Sequence, residues 1–193
     1  MILGLCGSPR AMTTEYVLRA ALDMLHENGH ETVFWSVRGK NMEFCNHCDH
    51  CLKGGGCVFD DDVQALYPLL REAEALVIAT PVYNGGVSAQ LKAVMDRTRA
   101  LLAQDKDALR DKPGIAIAVG GDRVGGQELA LQQIQTFLTL NGAIHLSGGF
   151  FGANLGASLW SKDSMEGIRE DEEGMRSMRK TVRRLIEYLE EGR

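Results

Sequence analysis

The chain has 193 residues, of which 45% are hydrophobic and 24% are charged, so we expect one well-buried domain over residues 1–193. A formal net charge of -5 argues against nucleic acid as a partner, because phosphate binding needs a basic face. No stretch approaches the roughly 20 apolar residues of a membrane helix, and nothing at the N-terminus resembles a secretory signal, so we expect a cytoplasmic protein without a membrane partner.

The first predicted element is an apolar run, Met1 to Cys6, which is typical of a strand buried on both faces of a parallel sheet. A polar loop follows it, and a helical pattern begins at Thr13. Free N–H groups at a helix start, together with the helix dipole, favour an anion there. The side chains that could add donors are Ser8, Arg10, Thr13 and Thr14. No dinucleotide or triphosphate fingerprint is present, which leaves a monophosphate site or simple helix capping by the threonines.

Four of the five cysteines follow the second predicted strand, Glu31 to Ser36, at the spacing C-x2-C-x2-C-x5-C. They are Cys45, Cys48, Cys51 and Cys57. Three closely spaced thiolates can hold three corners of a [4Fe-4S] cubane, and the glycines at 54–56 let the chain bring the last thiolate to the fourth. Zinc and free or regulatory thiols compete with this interpretation, although zinc ligands usually form two separated pairs. A disulfide is disfavoured in a reducing cytosol.

Three further residues near these motifs have simpler interpretations. His47 and His50 lie between the cysteines, and we expect them to be exposed loop residues because four thiols are already available. Cys6 belongs to the first strand and is expected to be a small buried hydrophobe.

The rest of the sequence alternates between predicted strands and helices. The acidic residues Asp60 to Asp62 are expected to cap a helix rather than bind a metal. The predicted elements after them, in chain order, are a strand Ala75 to Thr80, a helix Val87 to Leu102, a strand Gly114 to Val119, a helix Gln127 to Asn141, a short strand Ala143 to Leu146, a long loop Gly148 to Ser164 and a final helix Met165 to Glu191.

Two loops in this series are predicted to form a ligand cleft. The loop Pro81 to Gly86 follows one strand and the glycine-rich loop Gly120 to Gly126 follows the next. Both lie at the carboxyl edge of a parallel sheet, where open α/β sheets bind ligands. Tyr83 offers a flat wall, and the backbone N–H groups near it could bond a planar heterocycle.

The element order resembles the flavodoxin-like fold, a doubly wound five-stranded parallel sheet of order 2-1-3-4-5. Within that fold the chain resembles the iron-sulfur flavoproteins of the NADPH-dependent FMN reductase superfamily. The segments that carry the resemblance are Gly7-Ser8-Pro9-Arg10, the cysteine motif, Asp60-Asp61-Asp62, Pro81-Val82-Tyr83, Gln90 to Arg97 and Gly120 to Glu128.

The resemblance implies FMN and one [4Fe-4S] cluster per subunit, with a cluster loop at residues 43–60 inserted after the second strand. It implies that the FMN phosphate is held by Ser8, Arg10, Thr13 and Thr14. The isoalloxazine ring would face Pro81, Val82, Tyr83, Asn84, Gly85, Gly120, Gly121 and Asp122. The cluster ligands would be Cys45, Cys48, Cys51 and Cys57. No side chain is expected to be catalytic, because the redox chemistry belongs to the cofactors.

The leading functional hypothesis is an electron-transfer flavoprotein, an oxidoreductase that passes electrons from a ferredoxin-like donor through cluster and FMN to oxygen, peroxide or a quinone. One alternative is an NAD(P)H-dependent FMN or quinone reductase without a cluster. Another is a non-enzymatic binding module stapled by zinc. The resemblance also implies a homodimer or a homotetramer built as a dimer of dimers. Because the cysteine loop follows an edge strand and the ring loops follow central strands, we expect cluster and flavin to meet across subunits, with residues 87–102 and 148–164 at the interface. The alternative is that the long cysteine loop folds back over its own flavin.

Overall fold

The computed structural model describes residues 1–191. Its strands are β1 (Ile2–Cys6), β2 (Thr32–Ser36), β3 (Ala75–Pro81), β4 (Pro113–Gly120), β5 (Ile144–Leu146) and β6 (Ala157–Trp160). Its helices are α1 (Thr13–Glu27), α2 (Leu66–Glu72), α3 (Ala89–Arg97), α4 (Arg99–Gln104), α5 (Gln127–Leu140), α6 (Met165–Glu170) and α7 (Glu172–Glu191). A short 3-10 helix, Cys51–Lys53, lies within the cysteine loop.

The strands form one parallel sheet in the order β2-β1-β3-β4-β5, which confirms the predicted flavodoxin-like topology. Every residue of β1, β3 and β4 is buried, because helices cover both faces of these central strands. Strand β6 also pairs with β4, directly beyond the segment that pairs with β5. The fifth position of the sheet is therefore shared by two short strands on either side of residues 147–156.

The prediction of one continuous loop from Gly148 to Ser164 was wrong at β6. Ala157 and Leu159 are buried on one side of this strand while Ser158 is exposed, so four residues carry a period-2 pattern too short to recognise among glycines.

Two helices predicted as continuous are each divided in two. The segment Val87 to Leu102 breaks at Thr98, whose hydroxyl donates to the Met95 carbonyl oxygen at 2.6 Å. The segment Met165 to Glu191 breaks at Asp171, which accepts hydrogen bonds from the N–H groups of Trp160 and Gly174 at 2.6 and 3.0 Å. Both breaks depend on polar contacts that the hydrophobic periodicity does not encode.

The core has one layer on each face of the sheet. Helices α1 and α7 cover one face, where Leu18, Leu25 and Leu185 are fully buried. Cys6 lies in this layer, as predicted, and burial raises the pKa of its thiol. The opposite layer contains residues from α2, α3 and α5 together with Cys51 of the cysteine loop. None of the helices in residues 1–191 is both long enough and apolar enough to cross a membrane.

Candidate functional site

A cleft of about 990 Å³ lies at the carboxyl ends of β3 and β4, within the size range of small-molecule sites. Most predicted ring-facing residues line it, together with three residues that follow or end β6. The lining consists of Arg10, Val82, Tyr83, Asn84, Gly85, Gly120, Gly121, Asp122, Gly125, Trp160, Lys162 and Asp163. The two loops predicted from the sequence therefore lie on one cleft.

One wall of this cleft is a tight hairpin at the end of β3. Tyr83 and Gly86 exchange two backbone hydrogen bonds of 3.0 and 3.1 Å. Between them Asn84 and Gly85 have φ values of 48° and 76°, the pattern of a type I′ turn, which Asn-Gly pairs favour. The turn leaves the Tyr83 side chain 38% exposed beside the cleft.

The second loop packs directly against this hairpin. Gly126 has a φ of 99°, and a Cβ added there would lie 2.7 Å from the Gly85 Cα atom. The indole N–H of Trp160 donates to the Gly121 carbonyl oxygen at 2.9 Å, and the Gln127 amide donates to the Asp122 carbonyl oxygen at 2.6 Å. These contacts hold the loop against the start of α5 and against β6.

The third part of the cleft is the loop after β1. Arg10 reaches the cleft, and its guanidinium donates to Asp163 at 3.1 Å, which raises the Arg10 pKa. The Ser8 hydroxyl donates to the Arg10 carbonyl oxygen at 2.8 Å and accepts from the Arg10 N–H at 3.1 Å, so it shapes the turn. Ser8, Thr13, Thr14 and Pro81 are buried and are not part of the cleft lining. Their predicted contacts with FMN stay predictions.

Ser88 connects the loop after β1 to β3 and α3. Its hydroxyl donates to the Gly7 carbonyl oxygen at 2.6 Å and accepts from the Leu91 N–H at 3.1 Å, capping α3. Its own N–H donates to the Thr80 hydroxyl at 3.1 Å. Sequence reasoning missed this connection, and the signal that could have found it was a serine, a common N-cap residue, at the start of the predicted helix.

The cysteine loop forms a second candidate site. The thiols of Cys45, Cys48, Cys51 and Cys57 are all free, and these four residues line a common cavity of about 20 Å³. Within residues 1–191, no three His, Cys, Asp or Glu side chains are close enough together to hold a metal ion. His47 and His50 are exposed, as predicted. The loop thus brings four thiols to one place without arranging them as a coordination shell.

A buried ion pair closes the base of this loop. Arg97 donates to both carboxylate oxygens of Asp61, at 2.6 and 2.9 Å, and to the Glu43 carbonyl oxygen at 2.8 Å. The Arg97 and Asp61 side chains are 1% and 2% exposed. Asp61 also accepts hydrogen bonds from the N–H groups of Glu43 and Val63. One arginine of α3 therefore holds the chain on both sides of the cysteines.

This arrangement corrects the predicted role of the acidic residues Asp60 to Asp62. They do not stand at the first turn of a helix, since α2 begins only at Leu66. Burial alone would raise the pKa of Asp61, but the hydrogen bonds from Arg97 and the Glu43 N–H outweigh it and hold the pKa below 3.8. Sequence reasoning had no signal for this pair, because its members lie 36 residues apart.

Arg99 is the other arginine beside the thiols. Its guanidinium donates to Asp49 of the loop at 2.5 Å. Desolvation lowers the Arg99 pKa, but the hydrogen bond to Asp49 and the neighbouring Cys51 thiol raise it by more. Arg97 and Arg99 both line the cavity that the four cysteines share.

A larger groove of about 1510 Å³ runs between α3, α4 and α5. Cys45, His47 and Leu52 of the cysteine loop line one side of it, and Tyr83 to Val87 line another. Exposed apolar residues on α5, Leu129 and Leu140, add to its surface. The Tyr83 hairpin therefore lies between this groove and the 990 Å³ cleft.

Comparison with known proteins agrees with the fold and shows the family of the chain. The sequence pattern described as NADPH-dependent FMN reductase matches residues 1–157. The chain belongs to this family. An iron-sulfur flavoprotein of Archaeoglobus fulgidus is 62% identical over 190 residues, covering 98% of this chain and 97% of that protein. Another, from Methanocaldococcus jannaschii, is 49% identical and covers 100% of this chain and 98% of its own length. The predicted resemblance to iron-sulfur flavoproteins is confirmed.

Solved structures with much lower identity share the fold. RosB with its bound intermediate 8-demethyl-8-formylriboflavin-5'-phosphate superposes on this chain with a TM-score of 0.73 at 19% identity, covering 98% of this chain and 80% of RosB. This similarity supports the flavodoxin-like architecture.

Proposed function

We propose that this chain is an electron-transfer flavoprotein that binds FMN in the 990 Å³ cleft and a [4Fe-4S] cluster on the cysteine loop. It carries electrons from a ferredoxin-like donor to an acceptor such as oxygen, peroxide or a quinone. The observation that carries the proposal is that a member of the FMN reductase family has both a cleft at the carboxyl ends of β3 and β4 and four free cysteines around one cavity. When bound, FMN supplies one- and two-electron redox chemistry and the cluster supplies one-electron steps.

The residues of the cleft fit FMN. Arg10 offers a guanidinium that can bind a phosphate through two parallel hydrogen bonds, and Asp163 is its partner in this structure. Tyr83 offers a flat surface at the other side, and the glycine loop 120–126 leaves backbone groups accessible beside it. The family match supports FMN as the ligand, and the names of the close relatives support a flavin together with iron and sulfur.

The residues of the cysteine loop also fit a cluster. Its donor set is four uncommitted thiols, next to two guanidinium groups that favour an anionic occupant. A cavity of about 20 Å³ holds little more than a water molecule, so the cysteine side chains must move apart to hold four irons. Gly54 ends the short 3-10 helix and Gly56 follows two residues later; their φ values of 88° and 71° are ones that glycine adopts readily, so the loop can change its path there.

We propose that an oligomer brings the two cofactor sites together. The Tyr83 hairpin separates the cysteine side from the FMN cleft within one subunit. We propose a homodimer or dimer of dimers in which a second copy covers the groove along residues 87–102. The segment 148–164 would contribute its exposed pair Phe150 and Phe151, which are 83% and 87% exposed. A closed two-fold assembly would then give two equivalent composite sites.

The experiment is an absorption spectrum with iron and acid-labile sulfide analysis on anaerobically purified protein. Near-stoichiometric FMN with about four irons and four sulfides per chain is expected. FMN without iron would favour the NAD(P)H-dependent reductase, and zinc without FMN would favour the binding module. In Cys48→Ser the cluster should be lost or converted while FMN stays bound. The matched control Cys6→Ser should retain the iron, because Cys6 is fully buried in the opposite core layer.

Subunit pairing is tested with hybrids. A Cys48→Ser variant is mixed with a variant whose FMN cleft is blocked, and mixed oligomers are isolated with two different affinity tags. Donor-to-flavin transfer should return in the hybrids if the cofactors meet across subunits. Isolated hybrids that stay inactive would contradict this assembly.

A further inference from the structure

Two arginines face the cysteine loop with buried donors that have no partner. In both Arg97 and Arg99 the Nε–H group is inaccessible to solvent and makes no hydrogen bond within residues 1–191. Both side chains line the cavity shared by the four cysteines. Buried donors in native proteins are almost always paired, so these two N–H groups, on residues that line the cavity, are suited to an anionic acceptor.

Arg97 cannot easily turn this donor elsewhere. Its two terminal nitrogens are already engaged by the Asp61 carboxylate and the Glu43 carbonyl oxygen. Its side chain is 1% exposed, so water cannot satisfy the remaining N–H. The end-on ion pair therefore leaves Nε–H as the free donor of a guanidinium that is fixed in place.

Arg99 is held by the cysteine loop itself. Its terminal nitrogen donates to Asp49 at 2.5 Å, and Asp49 lies between Cys48 and Cys51 in the sequence. The Arg99 side chain is 36% exposed, but its Nε atom is buried. A positive charge and a free N–H group thus lie directly beside the proposed ligands.

We propose that Arg97 and Arg99 donate hydrogen bonds to the thiolate-bound cluster and stabilise its reduced form, which raises its reduction potential. The proposal rests on the proposed function, since it requires the cluster. Reduction by an external one-electron donor adds one negative charge to the cluster and breaks no covalent bond. Nearby positive charge and hydrogen bonds to the sulfurs favour that added charge. Neither arginine is among the proposed cluster ligands.

The test is a potentiometric titration with dithionite, followed by the electron paramagnetic resonance signal of the reduced cluster. Arg99→Gln removes the charge and should lower the equilibrium constant for reduction about tenfold, which is 59 mV for a one-electron couple. Asp49→Asn removes the counter-charge and should shift the potential upward. Asn tolerates the left-handed backbone at this position, where φ is 57°. The control Arg184→Gln lies on α7, on the other face of the sheet, and should leave the potential unchanged.

Iron and sulfide contents are measured on every sample, so that failure of this inference can be distinguished from failure of the proposed function. A wild-type protein without iron would overturn both. If Arg99→Gln keeps its full iron content and has the same reduction potential as the control Arg184→Gln, the role of the arginine is overturned and the proposed function stands. If Arg99→Gln loses its iron, Asp49→Asn decides: an upward shift supports the proposal, and an unchanged potential refutes it.

Discussion

Replacing Asp61 by Asn should be among the most destabilising single substitutions at the base of the cysteine loop. The change removes the only carboxylate that the structure places on the Arg97 guanidinium among residues 1–191. Both side chains are at least 98% buried, and two terminal nitrogens of Arg97 contact the carboxylate at 2.6 and 2.9 Å. Removing one partner of such a buried pair leaves an uncompensated charge, so we expect a loss of about 3–5 kcal/mol in the free energy of unfolding.

Urea denaturation measures this loss. With a slope of about 2 kcal/mol per molar, a loss of about 4 kcal/mol moves the midpoint down by about 2 M. Asp62→Asn is the matched control, because Asp62 is 39% exposed and its partner Lys40 lies 3.5 Å away. It also accepts one backbone hydrogen bond, from Asn41, so the control should lose no more than about 1.5 kcal/mol. Equal losses of unfolding free energy in the two variants would refute the stabilising role of the Asp61–Arg97 ion pair. A loss below about 1 kcal/mol in Asp61→Asn would refute it as well.

Three further predictions concern Arg10, Gly126 and the pH dependence of the Asp61 ion pair. Arg10→Ala should weaken FMN binding by about 1.5–3 kcal/mol in a fluorescence titration, whereas Asp163→Asn, which removes a competing carboxylate, should bind FMN at least as tightly as the wild type. Gly126→Ala should destabilise the fold by at least about 1 kcal/mol more than Gly149→Ala, since both glycines have positive φ but only the first would push a Cβ into a neighbouring backbone. Because the folded pKa of Asp61 is held below 3.8, its ion pair contributes fully above about pH 4. The stability difference between wild type and Asp61→Asn should therefore narrow as the pH falls below about 4 and approaches the folded pKa.

The fold could be predicted because its central strands are buried on both faces. Ile2–Cys6, Ala75–Pro81 and Pro113–Gly120 are nearly continuous apolar runs, and the loops between them carry glycine, serine and proline. Strand β6 lacked that signal because it has four residues. The order of the strands came from the family resemblance rather than from the pattern of any single segment.

The candidate site could be predicted where its residues lie next to strand ends. Tyr83 lies two residues after β3 and Gly121 directly follows β4, and the structure places both on the cleft. Trp160 and Asp163 reach the same cleft from a segment that is distant in sequence, and Trp160 is 39 residues from the carbonyl oxygen to which it donates. The same limit applies to Arg97, because a contact between remote segments depends on how the layers pack.

The position of the Tyr83 hairpin gives the two proposed cofactor sites a common boundary. Tyr83 to Gly85 line both the 990 Å³ cleft and the 1510 Å³ groove. Cys45 lines the groove but not this cleft, and Arg10 lines the cleft but not the groove. Ser88 and the contact between Gly85 and Gly126 fix this hairpin from two sides. A hairpin fixed in this way, between the proposed cluster loop and the proposed FMN cleft, would keep their ligands apart within one subunit. Tyr83 also borders the groove. A second copy bound in the groove would therefore contact the same tyrosine that borders the proposed FMN cleft, and its cysteine loop could form a composite site with that cleft.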